Sequence, residues 1–133
     1  MTSWKIVEGD THDEARIGAF IDAHAEALGV EFKSYTFRVE SDGEVIAGVT
    51  AWSMGPDLHV DMLGVEGSHR REGLGSALLA HVEEAGRADG CTTASVDTFS
   101  FQAPDFYPRH GYREIFRYPL TDGTERIYFT KSL

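Results

Sequence analysis

Between residues 69 and 76 the chain reads His-Arg-Arg-Glu-Gly-Leu-Gly-Ser, which sets Arg70 and Arg71 beside Gly73 and Gly75 at the mouth of a helix. Glycine weakens a helix, so a pair of them at its opening points to a need for backbone access. A helix N-terminus offers N–H groups without internal partners and a partial positive charge, and a phosphate or pyrophosphate satisfies both. The two arginines add charge, and Ser76 adds a hydroxyl. The competing reading is packing alone, with the glycines admitting a close neighbour and the arginines standing in water. Two better-known phosphate loops are excluded, because the Gly-Lys-Ser/Thr of the nucleotide P-loop and the Gly-x-Gly-x-x-Gly of dinucleotide folds are both absent.

A second set of reactive groups lies just upstream. In "LHVDMLGVEG", residues 58–67, His59 and Asp61 alternate with Leu58, Val60 and Met62, so a strand turns both polar side chains to one side. Imidazole titrates near neutrality and suits proton removal, whereas Asp61 needs burial or a like-charged neighbour to act as a base. Side by side, the carboxylate would fix the imidazole tautomer or anchor a cationic amine; solvated strand residues are the plain alternative. A His-x-Asp metal pair finds no third ligand at suitable spacing, so no metal is expected.

The elements that must position these groups follow from periodicity. "SWKIVEG" alternates weakly and predicts a first strand. Thr11 and Glu14 form a capping-box pattern ahead of a helix carrying Ile17, Phe20, Ile21 and Leu28, which Gly29 stops. Residues 35–53 predict a hairpin around "SDG", with Tyr35, Phe37 and Val39 on one face. In the next strand the apolar parity changes from Leu58, Val60 and Met62 to Leu63 and Val65, which predicts a bulge at Gly64. From Glu72 to Ala88 an apolar stripe of Leu74, Ala77, Leu78, Val82 and Ala85 turns Glu83, Glu84 and Arg87 away. "CTTASVDTF" completes a parallel strand–helix–strand crossover, "APDFYPRHG" a short helical segment, and "YREIFRYPL" with "ERIYFTKSL" two last strands. His24 and His81 read as packed or partly exposed histidines, Cys91 as inert packing, and Trp52 as either core or the wall of a pocket.

Composition bounds what this arrangement serves. A chain of 133 residues predicts one domain over 1–133. The net charge of -10 argues against nucleic acid as a partner and favours cationic or neutral ligands. With only Lys5, Lys33 and Lys131 as lysines, the acidity fits a salt-adapted protein or an ordinary acidic one equally well. There is no apolar run long enough to span a bilayer and no targeting segment, and Cys91 is the single cysteine. A cytoplasmic protein without a membrane partner is therefore expected, with a homodimer left open.

Arg70-x-x-Gly73-x-Gly75, after "LGVEGSH" and before a helix, resembles the acetyl-CoA motif of the GNAT superfamily of N-acetyltransferases. "APDFYPRHGYREI" is similar to that family's second signature, and the two stand in the expected order and separation. The resemblance implies an α/β fold: a mixed, mostly antiparallel sheet with helices on both faces, splayed at a bulged central strand. It implies that Arg70, Arg71, Gly73, Gly75 and Ser76 hold the CoA pyrophosphate and that the backbone of Leu63 and Val65 pairs with the pantetheine arm. Tyr107 matches the tyrosine that protonates the departing sulfur, while His59 or Asp61 matches the strand that supplies the base. Where many members carry an Asn three residues before the Ala matching Ala103, this chain has Ser100; either Ser100 or Gln102 replaces that contact, or it is lost. Pro108 directly after Tyr107 is a second departure and predicts a kinked or shortened helix. The activity so implied is acetyl transfer from acetyl-CoA to a primary amine by direct attack in a ternary complex, since Cys91 is not placed as a covalent relay. A non-catalytic acyl-CoA-binding or sensor module of the same fold is the alternative, and a cofactor-free interaction domain a third.

Overall fold

The computed structural model describes residues 3–133 and contains two compact units, Met1–Phe32 and Lys33–Leu133. In the first, α1 (Thr11–Ala27) is capped by Asp10, whose carboxylate accepts from the backbone N–H of His12 and Asp13 at 2.9 and 3.1 Å. Asp13 returns the bond to the Asp10 N–H at 2.9 Å, so the capping box lies one residue before the Thr11/Glu14 box read from sequence. The short carboxylate of Asp10 reaches two amides at once, and Thr11 becomes the first helical residue. Gly29, at φ 76°, follows the C-cap Leu28 as expected. "SWKIVEG" forms no strand. Alternation alone does not make one, because a strand persists where a neighbour satisfies its backbone groups.

Apart from Phe32, the first residue of β1, the second unit carries a mixed sheet of β1 (Phe32–Ser41), β2 (Glu44–Met54), β3 (Asp57–Val65), β4 (Thr93–Phe99), β5 (Arg113–Pro119) and β6 (Glu125–Ser132), in spatial order β1-β2-β3-β4-β6-β5. Among the described residues the β3–β4 pair is parallel, and β2–β3, β4–β6 and β5–β6 are antiparallel. Asp42 and Gly43, both at positive φ (51° and 78°), make the tight connection between β1 and β2. No helix among the described residues is long and apolar enough to cross a membrane.

Helix α2 (Leu74–Ala88) makes the crossover from β3 to β4 and packs on β2 and β3. Leu78, Leu79 and Val82 meet Val49, Leu58, Val60, Val96 and Phe129 in the core. A methyl at Gly86 would stand 2.9 Å from Leu58 Cδ2, so this glycine lets the helix lie against β3. The buried stripe is rotated from the predicted one: Ala77 is exposed, while Glu83 is only 4% exposed. Glu83 belongs inside because Tyr112 Oη donates to it at 2.7 Å and Lys131 Nζ at 2.9 and 3.2 Å, which satisfies a charge that apolar periodicity places in water.

The bulge also moves. Gly64 pairs in register with Gly48, and the shift falls where Thr50 and Ala51 oppose Met62 and Val60, leaving Asp61 as the extra residue. Parity therefore reverses at Asp61: Leu63 and Val65 join the core side with Leu58 and Val60, and Met62 turns outward at 62% exposure. Beyond the bulge β3 leaves β4, because their parallel pairing runs only from Asp57↔Thr93 to Val60↔Val96.

Candidate active site

The parting of β3 and β4 opens a cleft of about 890 Å³. The Asp61–Val65 segment of β3 lines one side of it, Asp97, Thr98 and residues 101–103 another, and Phe106 and Tyr107 line it beside the start of α2. His69 to Arg71 and Gly73 to Ser76 line it as well. Arg71 and Gly73 both take left-handed backbone (φ 72° and 80°), a conformation that costs an arginine energy and recurs at binding loops. Gly73 is the N-cap of α2 and supplies no side chain to the first-turn amides, so those donors face the cleft without a side-chain cap. A Cβ on Gly75 would sit 3.5 Å from Phe106 and 3.9 Å from Val65, filling the space that the glycine leaves between them. These features fit a pyrophosphate.

The predicted cofactor residues divide at this point. Leu63, Val65, Arg70, Arg71, Gly73, Gly75, Ser76 and Gln102 line the cleft; Ser100 does not. Ser100 bonds at the end of β4 instead, its Oγ accepting from the Glu125 N–H and its own N–H donating to the Glu125 carbonyl, both at 2.8 Å. Gln102 Oε1 accepts from Thr98 Oγ1 at 2.9 Å and from the Phe99 N–H at 3.0 Å, capping the same strand. Arg70 Nε donates to the Val65 carbonyl at 3.3 Å, and Ser76 Oγ lies 3.1 Å from His110 Nε2. The Ser76–His110 pair ties the start of α2 to the end of α3 (Phe106–Arg109), a link without any local sequence signal.

Tyr107 sits half-buried in α3 among Phe106, Tyr112 and Phe129, with ring centroids 5.2, 5.6 and 5.9 Å away. Burial, and then the negative charge of Asp97, hold its phenol above the ordinary pKa, so it keeps its proton through the neutral range. Pro108 follows within the first turn of this four-residue helix. An N–H there has no intrahelical partner to lose, which is why the proline costs little and the segment is short rather than kinked.

His59 and Asp61 part company. Asp61, the bulged residue, is exposed at the cleft rim, while His59 lies on the sheet face opposite α2, with its ring 4.9 Å from Trp52. The carboxylate that comes nearest His59 is Asp97, whose Oδ1 is 3.6 Å from Nε2. Asp97 is anchored by Arg126, with Nε and Nη2 donating to its Oδ2 at 3.0 and 2.8 Å. The guanidinium is in turn held between the rings of Phe99 and Tyr128, 5.5 and 5.3 Å from their centroids. Asp97 also lines the cleft, so one carboxylate faces His59 and reaches Tyr107 with its field. Sequence reading missed Asp97, although the alternation Ser95, Asp97, Phe99 marks it as sharing a face with Ser95. Cys91 is buried, burial raises its thiol pKa, and it does not line the cleft.

Comparison with known proteins gives these features a family. Residues 4–112 match the model of the acetyltransferase (GNAT) family, a span that runs through both units. The chain is 42% identical over 79 residues to blasticidin-S acetyltransferase of Streptomyces morookaense, covering 59% of this chain and 58% of that protein's length, less than two thirds of it. A crystal structure of an acetyltransferase from Bacillus cereus superposes with a TM-score of 0.75 at 31% identity, covering 98% of both chains. An aminoglycoside 6'-N-acetyltransferase crystallised with coenzyme A shares the fold, with a TM-score of 0.65 at 16% identity over 74% of this chain and 72% of that one.

Proposed function

Because the chain belongs to the acetyltransferase (GNAT) family, we propose that it moves an acetyl group from acetyl-CoA to a primary amine of a small polar molecule, by direct attack in a ternary complex. The observation that carries this reading is the β3–β4 cleft, which is lined by the uncapped first turn of α2 together with Tyr107 and Asp97. The coenzyme A in the aminoglycoside acetyltransferase of the same fold supports the ligand class.

Acetyl-CoA supplies the activated acyl group as a thioester. The first-turn amides of α2, with Arg70, Arg71 and Ser76, hold its pyrophosphate, and the Leu63 and Val65 backbone faces its extended arm across the gap that β4 has left. His59 Nε2 takes one proton from the acceptor ammonium, freeing the lone pair that forms the C–N bond. As the C–S bond breaks, the Tyr107 hydroxyl gives its proton to the sulfur and regains one from the nitrogen that has become the amide. One proton leaves through His59, and no charge is left over. Asp61 at the rim adds attraction for a cation, in keeping with the net charge of -10.

The test is a thiol-release assay with acetyl-CoA and an amine panel that includes blasticidin S, aminoglycosides, polyamines and amino acids. Turnover with at least one small amine is expected. Tyr107→Phe lowers kcat about tenfold to a hundredfold while acetyl-CoA affinity, read by calorimetry, stays unchanged. Unchanged turnover removes the acid role from Tyr107, and acetyl-CoA binding without thiol release across the panel replaces the enzyme with a binding module.

A further inference from the structure

Register, rather than sequence adjacency, equips His59. The parallel pairing sets Asp57 opposite Thr93 and His59 opposite Ser95, so these four side chains share the sheet face away from α2. Asp57 accepts from Thr93 Oγ1 on one oxygen and from Ser95 Oγ on the other, each at 2.8 Å. A serine hydroxyl has one proton, and here it is committed to Asp57. Ser95 Oγ, 3.0 Å from His59 Nδ1, is therefore an acceptor toward the ring, and Nδ1 must carry the hydrogen. The lone pair of the neutral imidazole is left on Nε2. That nitrogen lies 3.6 Å from Asp97 Oδ1, too far for a direct hydrogen bond and the right separation for two acceptors to converge on one donor.

We infer that Asp57 and Ser95 are positioning residues that hold His59 in its Nδ1–H tautomer, and that His59 Nε2 and Asp97 Oδ1 together form the seat of the acceptor's ammonium group. This rests on the acetyl-transfer reading above and supplies its missing acceptor end. The ammonium is a donor only, so it satisfies both acceptors, and Nε2 is already in the form that can take its proton. Arg126 occupies the other oxygen of Asp97 and keeps Oδ1 aimed at the seat. The groups with charge around the ring are then Asp57 behind it, Asp97 in front, and Arg126 beyond Asp97. Trp52, its ring tilted 37° against the imidazole, walls the seat from the β2 side and answers the question its sequence position leaves open.

The tautomer is read directly by two-bond ¹H–¹⁵N spectra of protein labelled at histidine, with the His59 signals assigned by their loss in His59→Gln. In the wild-type protein at a pH where the ring is neutral, Nδ1 carries the proton; in Ser95→Ala the Nε2–H form becomes populated. In the thiol-release assay with the best amine, Ser95→Ala lowers kcat about tenfold, leaves KM for acetyl-CoA unchanged, and moves the pH at which turnover reaches half its maximum. Ser95→Thr, which keeps the hydroxyl, restores turnover and pH profile. An Nε2–H tautomer in the wild-type protein overturns the inference, as does a Ser95→Ala enzyme with wild-type kcat and pH profile. Because the spectra need no substrate, a protein that releases no thiol defeats the acetyl-transfer reading without deciding the tautomer, which the spectra decide alone.

Discussion

Glu83 and Asp97 are both carboxylates paired with a cation from β6, and they lie on opposite sides of the same sheet. Glu83 is closed into the core under α2, where Tyr112 and Lys131 satisfy it from two directions. Asp97 receives Arg126 on one oxygen and turns the other toward His59 at the edge of the cleft. Where the pairing is complete and dry it fixes the fold; where one oxygen stays uncommitted beside a gap, the same chemistry can meet a ligand. The splay of β3 from β4 makes this difference, because Asp97 lies just past Val96, where the parallel ladder stops.

Breaking each pair in turn should separate stability from activity. The largest effect is expected for Glu83→Ala, which leaves the buried Tyr112 hydroxyl and the partly buried Lys131 ammonium without their acceptor. It costs about 3–5 kcal/mol of unfolding free energy in urea titrations. Glu83→Gln, which keeps one acceptor, should recover part of that loss. Asp97→Asn should reverse the pattern: unfolding changes little, while kcat/KM for the acceptor falls about tenfold to a hundredfold, roughly 1.4–2.8 kcal/mol of transition-state binding. A large stability loss with unaltered kinetics would make Asp97 a second Glu83 and erase the distinction.

The smallest effect concerns a third carboxylate, Asp89 at the end of α2. Lys33 Nζ and Tyr35 Oη both donate to it at 2.7 Å and, in that order of importance, hold its pKa below the ordinary carboxylate value. A depressed carboxylate contributes stability above its unfolded pKa and loses it as pH falls through the folded one. The melting temperature of the wild-type protein should therefore exceed that of Asp89→Asn near neutrality, and the gap should begin to narrow below about pH 4 and close as the pH falls through the depressed folded value. A gap that persists in acid would mean that Asp89 acts through packing rather than charge.

Much of this was legible along the chain, for reasons that differ by element. The hairpin turn and the glycine-rich helix mouth are local, since they depend on residues within a few positions of one another and on the backbone freedom of Gly43 and Gly73. The bend in β3 was visible as a change of parity, but its position was not. Both Asp61 and Gly64 are compatible with the pattern, and only pairing with β2 selects Asp61 as the extra residue. The acid candidate Tyr107 was legible from its signature, whereas the reason Pro108 is tolerated depends on a helix only four residues long.

The amino-acid sequence by itself determined where an anion could sit and which strands and helix would frame it, because helix mouths, turns and alternation are short-range properties. It also offered His59 and Asp61 as candidate bases and, through the family signature, Tyr107 as a candidate acid. Only the tertiary structure decided who accompanies them. Asp97 and Ser95 stand 38 and 36 residues from His59 in the chain, and Arg126 comes from a strand beyond both, so their meeting depends on sheet order and register. Glu83 is buried for the same reason: its partners Tyr112 and Lys131 arrive through long-range packing, and no helical periodicity can foresee a charge that is satisfied from across the fold.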